Sequence, residues 1–339
     1  MPPTDLDVTF LLAETRALHE AIRERVGWLL QRAHRAHQPD LASAPGAWGA
    51  GDLTYALDDV ADEPLAEYGH RLGARHPVTL IAEGPGEAHF GAGSADAPLR
   101  GLIDPVDGTR SLMHDMRSAW ALTGLARDGG PATRLSDIEV AVQTELPTTT
   151  AGIYHVLTAV RGAGATVARH DVRSGKELES APLTVLTDLR LDNGYLCFSR
   201  FLAVERPLVA ALEADFLARV IEAHGLDQRL LYDDQYLCTA GQLFFTATGR
   251  YRMLADLRGW LHRTRGLRNF TAKPYDLATL LVWREAGVPV LDEHGEPLDA
   301  PFDTETKLSV IAFANEELRR KLEPHLRAAM AAGIGRPAG

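Results

Sequence analysis

Cysteine is scarce in this chain of 339 residues: Cys197 and Cys238 stand far apart and outside any CxxC spacing, so neither a disulfide framework nor a structural zinc site is signalled. Positive charge is the minority sign. Thirty-five Lys and Arg face forty-six Asp and Glu, and the formal charge of −11 suits a nucleic-acid polymer poorly. Long hydrophobic runs are missing too. The opening MPPTDLDVTFLLAETRALHE is acidic early and its apolar stretch is short and interrupted, so no signal peptide or membrane span is expected, and a reducing cytoplasm is the expected compartment. The absence of GxGxxG, GxxxxGK(S/T) and GxSxG removes a dinucleotide fingerprint, a P-loop and a nucleophile elbow. There is no internal repeat and no low-complexity stretch.

What is present is an ordinary globular composition, 45% hydrophobic and 24% charged. At roughly 100–200 residues per domain the length suits two domains or one large one. Apolar residues at helical spacing predict a helix over Asp7–Gln38, a loop over 42–51 and a second helix over Asp58–Arg75. Short apolar runs follow at Val78–Ala82, Gly101–Ile103, Ala119–Ala126, Ile138–Gln143 and Gly152–Val160 and predict strands. Past Ala168 helices and strands alternate: helices over Pro207–Ala223, Gln235–Ala247 and Tyr275–Ala286, strands at Tyr195–Ser199, Tyr251–Ala255 and Leu308–Ala314. The chain therefore reads as an N-terminal α+β half, residues 1–170, and a C-terminal α/β half, residues 171–339.

The most informative segment is GLIDPVDGTRSLMHDMRS, residues 101–118, in which an apolar strand runs directly into Asp104-Pro105-Val106-Asp107-Gly108-Thr109. Pro105 fixes its own φ and biases Asp104 toward an extended backbone, so a turn at the strand end aims both acids at one point. Two carboxylates and the Val106 carbonyl make a hard-oxygen pocket suited to Mg²⁺. Gly108 permits close approach of a backbone N–H, and Thr109 adds a hydroxyl. About twenty residues upstream the strand VTLIA ends in Glu83, followed by Gly84, Pro85 and Gly86. Asp276 opens the apolar stretch YDLATLLVWREAG.

Taken together, Glu83, DPVDGT and Asp276 in YDLATLLVWREAGVPVLDEHGEPLD resemble the inositol monophosphatase family of metal-dependent, lithium-sensitive phosphatases, and GDLTYALDD is similar to that family's D-x-V-T-x-x-D segment. The matched pieces span about half of the chain, in the family's order. The resemblance implies the αβαβα sandwich of the sugar phosphatases, with the metal site between the two halves. It implies that Glu83, Asp104, the Val106 carbonyl, Asp107 and Asp276 hold two or three Mg²⁺ ions, with Mn²⁺ as a substitute. Thr109 would pair with Asp58 or Asp59 to position the attacking water, and the N–H groups of Gly108 and Thr109 would receive the phosphate. The implied activity is hydrolysis of a small phosphate monoester by a cytoplasmic homodimer with no nucleic-acid or membrane partner. A 3'(2'),5'-bisphosphate nucleotidase or fructose-1,6-bisphosphatase-like activity, or a non-catalytic phosphometabolite-binding protein of the same fold, is the alternative. Gly84 stands where the family has a second Glu, which puts the outermost metal in doubt. Asp256 is the candidate for the acid that reads the alcohol.

Other signals carry less. His34 and His37 lack a third ligand, His114 and Asp115 are candidates to line the cleft, and Asp233-Asp234 precedes a helix as a cap would. Leu257–Lys273 holds Arg258, Arg263, Arg265, Arg268 and Lys273 with no acid. In so acidic a chain this inversion is read either as a solvated loop or subunit contact, or as a specificity loop in which Arg263, Arg265 and Arg268 meet a second anion of the substrate.

Overall fold

A computed structural model describes residues 6–35, 45–49, 52–91, 98–267 and 270–332. Helix α1 (Val8–Arg35) buries Leu11, Thr15, Leu18, Ile22, Val26 and Leu30, one stripe at three- and four-residue spacing. Strands β1 (Pro45–Gly49) and β2 (Asp52–Tyr55) form a hairpin where the composition predicts a loop. The expected helix from Asp58 is broken in two. A single turn, α2 (Ala56–Asp59), ends where Ala61 N–H donates to Asp58 O at 3.1 Å, and α3 (Asp62–Arg75) follows with Pro64 in its first turn, where no N–H is needed.

The first sheet comprises β3 (Val78–Ala82), β4 (Gly86–Phe90), β5 (Leu99–Asp107), β6 (Ala119–Arg127), β7 (Ile138–Leu146), β8 (Ile153–Val160), β9 (Gly164–Asp171) and β10 (Glu177–Pro182), in the order β10-β9-β8-β7-β6-β5-β3-β4. All neighbours are antiparallel except β3 and β5, and a short helix, α4 (Thr109–Leu112), leaves the end of β5. The last strand of this sheet lies beyond residue 170.

The second half contributes β11 (Gly194–Phe198), α5 (Arg206–His224), β12 (Leu231–Tyr232), α6 (Thr239–Ala247), β13 (Tyr251–Asp256), α7 (Arg258–Arg265), α8 (Leu280–Ala286), β14 (Val290–Leu291), β15 (Val310–Phe313) and α9 (Glu316–Ala332). Its five strands order as β12-β11-β13-β15-β14. The basic segment, read as a loop, begins with helix α7, and the helix expected from Tyr275 opens instead with a 3₁₀ turn, Tyr275–Leu277, ahead of α8.

These elements stack in five layers. Helices α1 and α3 cover one face of the large sheet over a core that includes Leu18, Tyr68, Leu80 and Ile103. The middle helices α6 and α8 lie between the two sheets, among Trp120, Leu243, Leu254, Leu281 and Trp283. Outer helices α5 and α9 close the small sheet around Phe198, Phe216, Phe313 and Leu322. The architecture is the αβαβα sandwich. Among the described residues no helix is long and apolar enough to cross a membrane.

Candidate metal centre

Strands β3 and β5 run parallel with Ala82 opposite Ile103, so both chains leave the sheet at one edge. Glu83 N–H donates to Ile103 O at 3.1 Å, which fixes Glu83 beside Asp104. The DPVD segment does not turn away from the strand, as Pro105 suggests. It stays in β5 to Asp107, and the pairing with β6 slips between Asp104 and Asp107. Opposite Pro105 and Val106, β6 supplies Ala121 alone, which makes a bulge where proline has no N–H to give to the ladder. The slip has a chemical consequence. Residues three apart on a regular strand face opposite sides, and one extra residue restores the parity that lets Asp104 and Asp107 meet.

Asp276 arrives from the other half. Its 3₁₀ turn packs on Gly124 of β6, where a Cβ would lie 2.1 Å from Ala278 O, so any larger residue at 124 would push the segment off the sheet. One carboxylate oxygen from each of Asp104, Asp107 and Asp276 falls within 4.8 Å of the others. Each carboxylate is held by backbone. Val106 N–H donates to Asp104 Oδ1 at 3.0 Å, Lys273 N–H to Asp276 Oδ2 at 2.6 Å, and Ala240 N–H, at the start of α6, to Asp107 Oδ2 at 2.6 Å. The second oxygen of Asp104 is buried with no hydrogen-bond partner among the described residues.

Burial pushes the Asp104 carboxyl well above the usual carboxylate range, with Glu83, Asp107 and Asp276 adding like charge, and Asp276 rises for the same reasons. Burial takes Asp107 up to about 6 against the Ala240 N–H and the Cys238 thiol, which hold it down. A set of hard oxygens, one of them orphaned, whose charges oppose one another, fits a divalent cation such as Mg²⁺. Glu83 flanks this set. Gly84 adopts φ +84° in the β3–β4 turn, a conformation that a carboxylate-bearing residue rarely takes, so no second acid follows Glu83.

Thr109 Oγ1 lies 2.7 Å from Asp58 Oδ1 and 2.8 Å from Val106 O. Its hydroxyl partner is thus Asp58; Asp59 is exposed and lines a neighbouring groove. Burial raises Asp58 to about 6, opposed by the Thr109 hydroxyl and by Tyr55 N–H, which donates at 2.8 Å. Gly108 has φ +101°, and a Cβ there would come within 2.8 Å of Cys238 Cβ.

These residues line one small cleft, about 80 Å³ of space, together with Phe201, Arg258, Phe270 and Thr271. Several of the residues expected on its specificity side do not line it. Asp256 is 1% exposed and covered by its own neighbour Arg258, which takes the place at the cleft. Arg263 turns outward to Glu293 and Lys307 O, and Arg265 does not line the cleft; Arg268 lies outside the described residues. His114 and Asp115 are also elsewhere, with Thr149 N–H donating to Asp115 at 2.7 Å. Arg110, Cys238 and Phe201 also line the cleft, where the sequence did not place them; Arg110, directly after the motif, carries a positional signal.

No family model and no curated protein matches the sequence. Solved structures do. A Pyrococcus horikoshii protein described as similar to inositol-1 monophosphatase superposes with TM-score 0.62 at 18% identity, over 95% of this chain and 98% of its own. The Leishmania major fructose-1,6-bisphosphatase gives 0.65 at 14%, over 98% and 100%. An extragenic suppressor protein, SuhB, from Bartonella henselae gives 0.61 at 20%, over 94% and 98%. The chain has the fold of the inositol monophosphatases and fructose bisphosphatases.

Proposed function

We propose that the protein is a Mg²⁺-dependent phosphatase of the inositol monophosphatase family that hydrolyses a small phosphate monoester to inorganic phosphate and the free alcohol. The observation that carries this reading is the meeting of Asp104, Asp107 and Asp276 beside the Thr109–Asp58 pair. Four acids facing one cleft, Glu83 among them, repel one another unless a cation is held between them. Asp104, Asp107, Asp276, Glu83 and the Val106 carbonyl would hold it. A divalent cation there supplies positive charge for the phosphoryl oxygens and acidity for a nearby water.

The chain's own groups do the rest. Thr109 donates its proton to Asp58, which leaves its oxygen lone pairs to accept a hydrogen bond from the attacking water and to orient it. Asp58, within hydrogen-bond reach of Thr109, is placed to receive a proton by way of that hydroxyl. Water's oxygen bonds to phosphorus as its proton passes by way of Thr109 toward Asp58, the ester P–O bond breaks, and the alcohol oxygen takes a proton from solvent. The fold similarity supports the class of enzyme, and the buried acids support the metal. The test is phosphate release from a panel of monoesters with Mg²⁺ and with excess chelator. Release that requires the metal supports the reading, and equal release in chelator overturns it. In the same assay millimolar lithium at low Mg²⁺ is expected to slow the rate.

A further inference from the structure

We infer that the groove beneath α3, beside the metal centre, binds an apolar ammonium, a short hydrocarbon chain that ends in a positively charged nitrogen. The groove lies between α3 and the edge strand β4 and holds about 650 Å³, the size of a small-molecule site. The side chains explain why it is open. Along β4, Gly86, Ala88 and Phe90 are half-buried while Glu87 and His89 point to solvent, so two of the three inward positions carry a methyl group or less. Ala82 pairs with Gly86 and Leu80 with Ala88, and Leu65 of α3 continues the apolar wall. Phe90 closes the far end against α3, where a Cβ on Gly69 would come within 2.5 Å of its ring.

Charge selects the occupant. Among the described residues that line the groove, every charged one is an acid: Asp58, Asp59, Asp62 and Glu83. Asp58 and Glu83 also face the metal cleft, whereas Asp59 and Asp62 stand outside it, exposed at the rim of the groove. Burial and the like charge of Asp59 raise the Asp62 carboxyl above its ordinary value, and no cation opposes them. An anionic ligand would add to this repulsion, and a neutral one would leave it. An ammonium relieves it and brings three N–H donors to the rim acids. The chain has its place as well: α3 rises about 10 Å between Asp62 and Gly69, the reach of roughly six to eight carbons. Its burial against Leu65, Leu80 and Phe90 supplies the affinity.

The test is calorimetry on the full chain with n-propyl-, n-pentyl- and n-heptylammonium, and with heptan-1-ol and octanoate as neutral and anionic chains of similar length. Mg²⁺ in excess keeps the ammonium from the acids of the metal centre, and because the readout is binding the result stands apart from hydrolysis. Affinity for the ammonium series should rise about three- to fourfold per methylene. Heptan-1-ol should bind about tenfold more weakly than heptylammonium, and octanoate more weakly still. The double variant Asp59→Asn/Asp62→Asn should bring heptylammonium to the level of the alcohol and leave the alcohol unchanged. Ala88→Leu, which fills the groove, should remove the gain per methylene, with thermal melts confirming that both variants are folded. No binding of heptylammonium, an affinity independent of chain length, octanoate binding as tightly as heptylammonium, or a preference for the ammonium that survives the double variant overturns the inference. Sedimentation of the same samples tests the other occupant: a dimer that is lost in Ala88→Leu assigns the groove to a second copy of the chain and also overturns it.

Discussion

Asp256 and Asp104 are both buried aspartates on β-strands of this sandwich, 1% and 0% exposed. Asp256 meets a guanidinium at 2.6 Å, whereas Asp104 meets further carboxylates. Asp234 belongs with Asp256: Arg117 grips both of its oxygens at 2.7 Å, and although burial pushes the carboxyl up, Arg117 and Tyr251 bring it below the ordinary range. Asp107 and Asp276 belong with Asp104. Among the described residues an arginine pairs with each of Asp256 and Asp234, and none forms an ion pair with the three converging acids. On the proposed reading the difference separates acids that hold the protein together from acids that would hold a cation.

The largest effect should come from removing one member of the second group. Asp107→Asn keeps the shape, and the amide can still accept from the start of α6, but the ligand loses its charge. We expect phosphate release to fall by at least about 10²–10³-fold, the scale of losing a preorganised electrostatic stabiliser. Far-UV circular dichroism should be unchanged. Asp58→Asn should cost a similar factor: the amide oxygen can still accept from Thr109, but it cannot take up a proton. Wild-type rates in either variant would dissolve the distinction between the two groups.

A change of sign in stability would sharpen it. In metal-free protein at neutral pH, Asp104→Asn should raise the melting temperature by at least about 2 °C, because a carboxyl that must either stay charged among like charges or take up a proton on folding becomes a neutral amide. Asp256→Asn should lower stability by about 3 kcal/mol, since it leaves Arg258 buried without its counter-charge. Thermal melts in chelator decide between the two, and destabilisation in both would mean that Asp104 is a structural acid after all.

Sequence reading reached the acid group better than the arginine-paired one, and the reason is range. Asp104, Asp107, Gly108 and Thr109 are local to one segment, and Glu83 follows from one strand ending next to another. The bulge at Pro105-Val106 was not legible, because a proline at a strand end predicts a turn as readily as an irregular ladder. Nor could a run of five cations announce its partners. Glu293 lies thirty residues past Arg263, and Asp256, two residues before Arg258, stood just outside the segment whose charges were summed. The choice of Asp58 over Asp59 needed the broken helix at 56–62, which sets one carboxylate toward Thr109 and the other toward solvent.

The smallest effect is a pH slope, and it needs a difference measurement to be seen. Asp58 and Asp107 have folded values near 6 against an ordinary 3.8, so the folded state binds more protons than the unfolded between those limits. Stability therefore falls as pH rises from about 4 through 6, by up to about 1.4 kcal/mol per pH unit per proton. His19 acts in the opposite direction. It is fully buried between the Thr123 and Thr144 hydroxyls, and burial lowers it to about 3, so the unfolded chain binds the extra proton between 3 and 6.5 and stability there rises with pH. In a single melting curve the two slopes oppose each other. Saturating Mg²⁺ favours the ionised carboxylates and does not touch His19, so the stability gained from Mg²⁺ should grow between pH 5 and 6 by about 1 kcal/mol or more. Denaturant titrations with Mg²⁺ and with chelator at the two pH values measure that gain, and a gain independent of pH would show that the carboxylates beside Thr109 and α6 are already ionised without the metal.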